Sequence, residues 1–150
     1  MTAAARPALL DVNLLVALFD PDHVHHDIAH DWFADSRRRG WATCPLTENG
    51  VVRILSNLRY SPAAEPAARI VDRLRTFCES GHHVFWADDV SFRDVARFAA
   101  GATVSHRQVT DVYLLGLAKR HGGRLATFDR TIPLAFVSGG ASDDLIIISE

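Results

Sequence analysis

Residues 8–15 read Ala-Leu-Leu-Asp-Val-Asn-Leu-Leu, and this stretch predicts a buried strand that ends at a carboxylate. Its first three residues, Ala8–Leu10, form an apolar run that is too short for a helix, which favours a strand. Asp11 follows at once and has apolar residues on both sides. A carboxylate in such surroundings is energetically costly unless a partner stabilises its charge. We therefore expect Asp11 to have a functional role.

Four further short apolar runs predict strands. They are Trp41–Cys44, Val84–Trp86, Leu125–Phe128 and Leu145–Ile148. Segments in which apolar residues recur with a helical period separate these runs. Strands that alternate with helices form right-handed crossovers, and hence a parallel sheet with helices on both faces. The sequence predicts a three-layer α/β/α fold with a mostly parallel five-stranded sheet, and its length predicts a single domain over residues 1–150.

Local signals predict where some helices begin and end. Ser61-Pro62 predicts a helix start, because serine caps a helix and proline fits its first turn. The serine and aspartate of Ser91–Asp94 have the spacing of a second helix start. The pair Gly122-Gly123 predicts the end of the preceding helix.

The composition excludes several classes of protein. The formal net charge of −2 excludes a protein that coats nucleic acid by its overall charge, so RNA binding needs a local basic patch or bridging metal ions. Cys44 and Cys78 are too few for a disulfide scaffold and lie in apolar stretches, so we expect reduced, packed thiols. No apolar stretch is long enough for a signal peptide or a membrane span, so we expect a cytoplasmic protein.

Three further acids occupy positions comparable with that of Asp11. Asp129 directly follows the predicted strand Leu125–Phe128, Glu48 follows the second predicted strand, and Asp111 opens a predicted helix. Parallel sheets bind ligands beyond the carboxyl ends of their strands. Four carboxylates are therefore expected to converge at one edge of the sheet.

Four converging carboxylates repel one another and raise their own pKa values, so their expected purpose is to bind hard cations such as Mg²⁺ or Mn²⁺. Phosphodiester cleavage uses such ions to polarise the phosphate, to activate water and to neutralise the leaving oxygen. An acid in the first turn of a helix also stabilises the helix dipole without any catalytic role. For Glu48 and Asp111 taken singly, this structural alternative stays open.

Four segments together resemble the PIN-domain ribonucleases, and more narrowly the VapC-type toxins of bacterial toxin–antitoxin pairs. The segments are Leu10-Asp11-Val12-Asn13-Leu14-Leu15, Thr47-Glu48, residues 110–118 and Leu125-Ala126-Thr127-Phe128-Asp129. The resemblance extends from about Leu9 to Asp129. It rests on the combination of the four segments, because none of them is specific alone.

The resemblance implies a Mg²⁺-dependent endoribonuclease, with Mn²⁺ as a substitute, that is the toxin of a type II toxin–antitoxin pair. It implies cleavage of RNA by metal-activated water at a four-carboxylate site. It also implies a homodimer and a cognate antitoxin that blocks the site. The implied metal ligands are Asp11, Glu48 and Asp111, with Asp129 as the fourth acid, and Asn13 and Thr127 orient carboxylates or waters.

Other polar clusters have structural explanations. The histidines at positions 23, 25, 26 and 30 suggest zinc, but no cysteine or further histidine completes a tetrahedral set, which favours surface histidines. Arg37–Arg39 precede Gly40 and complement a helix dipole. The arginines at positions 53, 59, 69, 73 and 75 are candidates for contacts with phosphate or antitoxin, and His106 and Arg107 for contacts with the scissile phosphate. The larger aromatic residues, Trp32, Phe33, Trp41, Phe77, Phe85 and Trp86, are expected in the core.

Competing functions fit the sequence less well. A dinucleotide-binding enzyme needs a glycine-rich turn after its first strand, and the chain has no such motif. A haloacid-dehalogenase-like phosphatase needs an aspartate where Asn13 stands, and a receiver domain needs a lysine near its acids, whereas the sole lysine, Lys119, lies inside a predicted helix. A catalytically silent PIN fold is disfavoured because all four acids are present. Asp88-Asp89 also follows a predicted strand but matches no family motif.

Overall fold

The computed structural model describes residues 6–99 and 101–149. Within this part of the chain, five strands form one sheet in the order β3-β2-β1-β4-β5, and every neighbouring pair is parallel. The strands are β1 (Ala8–Leu10), β2 (Trp41–Thr43), β3 (His83–Phe85), β4 (Arg124–Thr127) and β5 (Leu145–Ile147). The predicted five-stranded sheet is confirmed, and it is parallel throughout.

The α-helices of the described residues are α1 (Val12–Phe19), α2 (His26–Ser36), α3 (Pro45–Leu55), α4 (Ala67–Cys78) and α5 (Val109–Arg120). They all lie between strands in the chain, and α1 and α2 both connect β1 with β2. Short 3₁₀ turns, such as His106–Gln108 directly before α5, complete the connections. No helix among these residues is long and apolar enough to cross a bilayer.

The sheet separates two apolar clusters, because successive side chains of a strand point to opposite faces. On one face, Leu10 and Trp41 pack with buried residues of α1 to α4. On the other face, Leu9 and Leu125 pack with α5 and with Trp86. The predicted three-layer α/β/α fold is therefore confirmed.

The helices that follow β1 and β2 approach each other closely at Gly50. A Cβ atom at this position would lie 2.8 Å and 2.9 Å from the two Cγ atoms of Val12. Contacts of this length do not occur between unstrained carbon atoms, so only glycine lets α3 lie this close to α1. The contact holds the start of α1 against the middle of α3.

An ion pair network around the buried side chain of Asp144 connects Arg6 and α5 with the turn that leads into β5. Asp144 Oδ1 lies 2.7 Å from Arg6 Nη2, and Asp144 Oδ2 lies 3.0 Å from Lys119 Nζ. The side chain of Asp144 is only 6% exposed, and its pKa is lowered by the bonds from Arg6, Ala141 N–H and Lys119, which outweigh the opposing effect of burial. This network fixes β5 to the rest of the sheet.

Two of the predicted helix starts are wrong. Ser61-Pro62 lies in a turn, and α4 begins only at Ala67, because Ser61 Oγ accepts a hydrogen bond of 3.1 Å from the Ala63 N–H. Residues 91–94 also form turns, and Asp94 Oδ1 accepts from the Ala96 N–H at 3.0 Å. In both cases the short polar side chain bonds two residues ahead, and this closes a turn rather than a helix.

Other local predictions have mixed outcomes. The predicted end of a helix at Gly122-Gly123 is confirmed. The helix α5 ends at Arg120, and Gly122 shortly after it has a positive φ of 71°. The predicted core position of Phe85 is wrong: its side chain is 55% exposed, because Phe85 ends the edge strand β3. Cys44 is buried and Cys78 is half-buried, and both are free thiols.

Candidate metal centre

The strand order creates a crevice at the carboxyl ends of β1 and β4. From β1 the chain continues to β2 and β3 on one side, and it returns as β4 and β5 on the other side. Parallel sheets bind ligands at such a reversal of strand order. Asp11 lies at this point as the residue that caps α1, and its backbone N–H donates a hydrogen bond of 3.0 Å to the Ala126 carbonyl.

Thr127 connects two of the predicted site acids. Its hydroxyl donates a hydrogen bond of 2.7 Å to Asp11 Oδ2 and accepts one of 3.1 Å from the Asp129 N–H. Asp129 is itself held by Thr131, whose N–H and hydroxyl each lie 2.7 Å from Asp129 Oδ1. Asp11 and Thr127 are both buried. The ends of β1 and β4 thus hold two carboxylates in fixed positions.

Asp111 joins these two acids from the first turn of α5. Burial, together with the negative charges of Asp11 and Asp129, raises its pKa to about 7. Burial also raises the pKa of Asp11, while the hydrogen bond from Thr127 opposes this shift. Three of the four predicted acids therefore lie close enough to affect one another's protonation.

Glu48, the fourth predicted acid, makes different contacts. It lies in the first turn of α3, which Pro45 begins and which the Thr47 hydroxyl caps by accepting a 3.0 Å hydrogen bond from the Cys44 N–H. The Thr43 hydroxyl donates to Glu48 Oε2 at 2.6 Å. The carboxylate of Glu48 is thus held by β2, and Glu48 is not among the charges that raise the pKa of Asp11 or Asp111.

The remaining predicted site residue, Asn13, is an exposed residue at the second position of α1. The His26 and His30 rings bond the carbonyls of Ala17 and Leu18 at 2.7 Å and 3.1 Å. These contacts at the end of α1 give both histidines a structural role. His30 is exposed, as the sequence favours, whereas His26 is half-buried.

The cluster of three aspartates offers the ligand type that Mg²⁺ and Mn²⁺ prefer, because each residue supplies only carboxylate oxygens. A bound divalent cation would offset the repulsion that raises the pKa of Asp111. The residues present therefore fit a hard cation.

A second group of ligands was not predicted from the sequence. Carboxylate, thiol and imidazole atoms of Glu48, Cys78 and His83 all lie within 4.8 Å of one another, and within the described residues no other group of three reaches this spacing. The wider spacing of the aspartates is expected of anions that repel one another. No sequence pattern indicates the second group, because the turn between α4 and β3 brings Cys78 and His83 together only in the folded chain.

Residues 8–135 match the family model of the PIN domain. The chain therefore belongs to the PIN-domain family. Ribonuclease VapC44 of Mycobacterium tuberculosis is 44% identical over 138 residues, which cover 92% of this chain and 96% of the relative. Ribonuclease VapC39 of the same organism is 44% identical over 125 residues, with 83% and 90% coverage. Ribonuclease VapC38 is 48% identical over 125 residues, with 81% and 84% coverage. Within the PIN-domain family, this chain is of the VapC type.

Proposed function

We propose that the chain is a Mg²⁺-dependent endoribonuclease, formed by one PIN domain over residues 1–150, and the toxin of a type II toxin–antitoxin pair. The observation that carries this proposal is the group of Asp11, Asp111 and Asp129 at the carboxyl ends of β1 and β4. The relatives named above are ribonucleases, which supports RNA as the substrate. Mn²⁺ is expected to substitute for Mg²⁺, because both ions prefer oxygen ligands.

In this proposal, Asp11, Asp111 and Asp129 hold the cation, and Glu48 completes the site. Glu48 joins the other acids when its side chain leaves the Thr43 hydroxyl, which the long side chain of glutamate allows. The bound cation supplies the polarisation of the scissile phosphate and the activation of the attacking water. Asp111 must lose its proton before it binds the cation, because its pKa is raised to about 7.

Positive residues near the acids support an RNA substrate. Arg130 directly follows Asp129 and is exposed, and His106 and Arg107 are exposed in the turn before α5. Gln108 Nε2 donates a 2.8 Å hydrogen bond to the Thr131 carbonyl, so the turn and the segment after Asp129 lie together. These side chains provide the local positive charge that a chain with net charge −2 needs for phosphate binding. Asn13 is proposed to orient water at the same edge.

A groove between α2 and α4 supports an antitoxin as partner. It has a volume of about 840 Å³, an apolar floor that includes Phe19 and Phe33, and basic residues at its rim that include Arg38 and Arg69. Such a groove fits an amphipathic segment with acidic residues. We expect Arg69→Glu to weaken the complex with the product of a neighbouring gene, whereas Arg93→Glu, outside the groove, leaves it unchanged.

A cytoplasmic homodimer is the remaining part of the proposal. Leu46, Phe92 and Val109 are exposed apolar residues that line one surface hollow, and they offer a surface for a second copy. Light scattering at micromolar concentration is expected to give the mass of a dimer. A monodisperse monomer would contradict this part of the proposal.

The activity is tested by incubating the purified protein with a mixed RNA pool and Mg²⁺, and then with excess chelator. Water-mediated cleavage leaves 5′-phosphate and 3′-hydroxyl ends, and we expect these ends only when Mg²⁺ or Mn²⁺ is present. Sequencing of ligated ends identifies the products. Cleavage that continues in chelator, or 2′,3′-cyclic phosphate products, would exclude the proposed mechanism.

A further inference from the structure

The second group of ligands lies where three elements meet. Glu48 is in the first turn of α3, Cys78 is the last residue of α4, and His83 is the first residue of β3. Their candidate ligand atoms lie within 4.8 Å of one another, and all three residues are half-buried. The group is thus partly screened from water and still open to a small ion.

A buried hydroxyl positions two members of this group. Thr43, which is fully buried in β2, donates to Glu48 Oε2 at 2.6 Å, and its Oγ1 lies 2.8 Å from His83 Nε2. The ring of His83 also packs on Trp41, with ring centroids 4.6 Å apart. Thr43 therefore keeps the imidazole and the carboxylate beside each other in the absence of an ion.

The types of ligand atom in this group favour Zn²⁺ over Mg²⁺. One thiolate, one imidazole and one carboxylate are ligands for Zn²⁺, whereas Mg²⁺ takes oxygen ligands. In a tetrahedral Zn²⁺ site with bonds of about 2.0 to 2.3 Å, ligand atoms lie roughly 3.5 Å apart. Because the candidate ligand atoms already lie within 4.8 Å of one another, side-chain rotation of roughly 1 Å or less per atom closes the group around the ion. Water or the second oxygen of Glu48 takes the fourth position.

We propose that Glu48, Cys78 and His83 form a Zn²⁺ site that withdraws Glu48 from the acidic centre and so inhibits the enzyme. As Zn²⁺ binds, the Cys78 thiol loses its proton to solvent and a sulfur–zinc bond forms, without any change of oxidation state. The site itself rests only on the geometry above. The inhibition rests also on the proposed function, because it requires Glu48 to take part in cleavage.

The site is tested with Co²⁺, which takes the place of Zn²⁺ and reports its ligands by absorption. With excess Mg²⁺ present to occupy the acidic centre, we expect thiolate-to-cobalt charge-transfer bands in the near ultraviolet and the visible bands of tetrahedral Co²⁺. These bands should saturate at one equivalent and disappear when Zn²⁺ is added. Cys78→Ser removes the charge-transfer bands, and His83→Gln weakens binding at least roughly tenfold, a usual scale for disturbing a metal site. Asp129→Asn, which alters only the acidic centre, leaves the spectrum unchanged.

Thermal unfolding followed by circular dichroism checks that both variants are folded. If Cys78→Ser does not fold, His83→Gln still tests the site. Absence of thiolate bands in the wild type, or an unchanged spectrum in Cys78→Ser, would overturn the site.

The inhibition is tested by RNA cleavage at saturating Mg²⁺ with increasing Zn²⁺. Wild type is expected to lose activity, whereas Cys78→Ser and His83→Gln keep their basal rates and need at least roughly tenfold more Zn²⁺ for the same loss. Equal inhibition of all three proteins would overturn the inhibitory role. If the wild type cleaves no RNA even without Zn²⁺, both the proposed function and the inhibition are contradicted. The Co²⁺ spectrum does not depend on activity, so it still shows whether Glu48, Cys78 and His83 bind a metal ion.

Discussion

The Thr127 hydroxyl donates a hydrogen bond of 2.7 Å to Asp11 Oδ2, and so it stabilises a carboxylate that is only 4% exposed. The same hydroxyl accepts the Asp129 N–H at 3.1 Å. One buried side chain of β4 therefore positions acids that belong to the ends of two neighbouring strands.

Replacement of Thr127 by valine keeps the shape of the side chain and removes both hydrogen bonds. We expect Thr127→Val to lower the free energy of unfolding by about 1–3 kcal/mol, because a buried charged acceptor loses its donor. Thr127→Ser keeps the hydroxyl and serves as the control. Urea unfolding in the presence of chelator measures both, and equal stability of the two variants would show that the hydroxyl does not stabilise Asp11.

Asp111 should make the stability of the metal-free protein depend on pH. Its pKa is raised from 3.8 to about 7 in the folded state, so the folded chain binds more protons than the unfolded chain between these values. The contribution to stability is full below about pH 4 and is lost as the pH rises to about 7. Asp111→Asn is expected to flatten this decline and to raise the melting temperature at neutral pH. Melting curves in chelator from pH 4.5 to 8 test this, and identical slopes for variant and wild type would contradict it.

Asp144 should have the opposite dependence. Its pKa is lowered in the folded state, so its ion pairs with Arg6 and Lys119 stabilise the chain above its unfolded pKa of 3.8, and this contribution is lost as the pH falls through the lower folded value. Asp144→Asn is expected to cost about 1–3 kcal/mol at neutral pH, because two cations lose a buried partner. The exposed neighbour Asp143 supplies the control, and a loss of equal size in Asp143→Asn would refute the role of the network.

The contact between α1 and α3 predicts a compensating pair of substitutions. Gly50→Ala places a Cβ atom 2.8 Å from a Cγ atom of Val12, and we expect it to destabilise the fold by about 1–3 kcal/mol. Val12→Ala removes both Cγ atoms, so the double variant should recover part of this loss. A double-mutant cycle by urea unfolding measures the coupling, and strictly additive effects would show that the two helices do not meet at these residues.

The sequence predicts the strands of this fold well because each is a short apolar run. The alternation of strands and helices predicts a parallel sheet but does not give the order of its strands. The strand order reverses at β1, and this reversal places β4 beside β1 and so brings Asp11 near Thr127 and Asp129. Both incorrect helix starts, Ser61-Pro62 and Ser91–Asp94, contain residues that favour helix caps and turns alike, and only the folded chain distinguishes the two outcomes.

Side-chain direction is the part of the site that the sequence does not predict. Glu48 lies at the expected helix start, but whether its carboxylate faces the aspartates or the Thr43 hydroxyl depends on contacts with β2 and β3. The group of Glu48, Cys78 and His83 is likewise invisible in the sequence, because these residues belong to three separate elements. Family motifs identify positions along the chain, and packing decides where the long side chains point.

The most direct test of the account compares RNA cleavage rates of Asp11→Asn and Asp111→Asn with those of wild type over a range of Mg²⁺ concentrations. Asp89→Asn is the matched control, since Asp89 also follows a strand but contacts His121, at 3.0 Å, and not the acidic centre. We predict losses of at least about a hundredfold in the first two variants, a reasonable scale for loss of a metal ligand, and a rate near wild type in the control. Folded Asp11→Asn or Asp111→Asn protein that cleaves RNA at the wild-type rate would contradict the proposed centre.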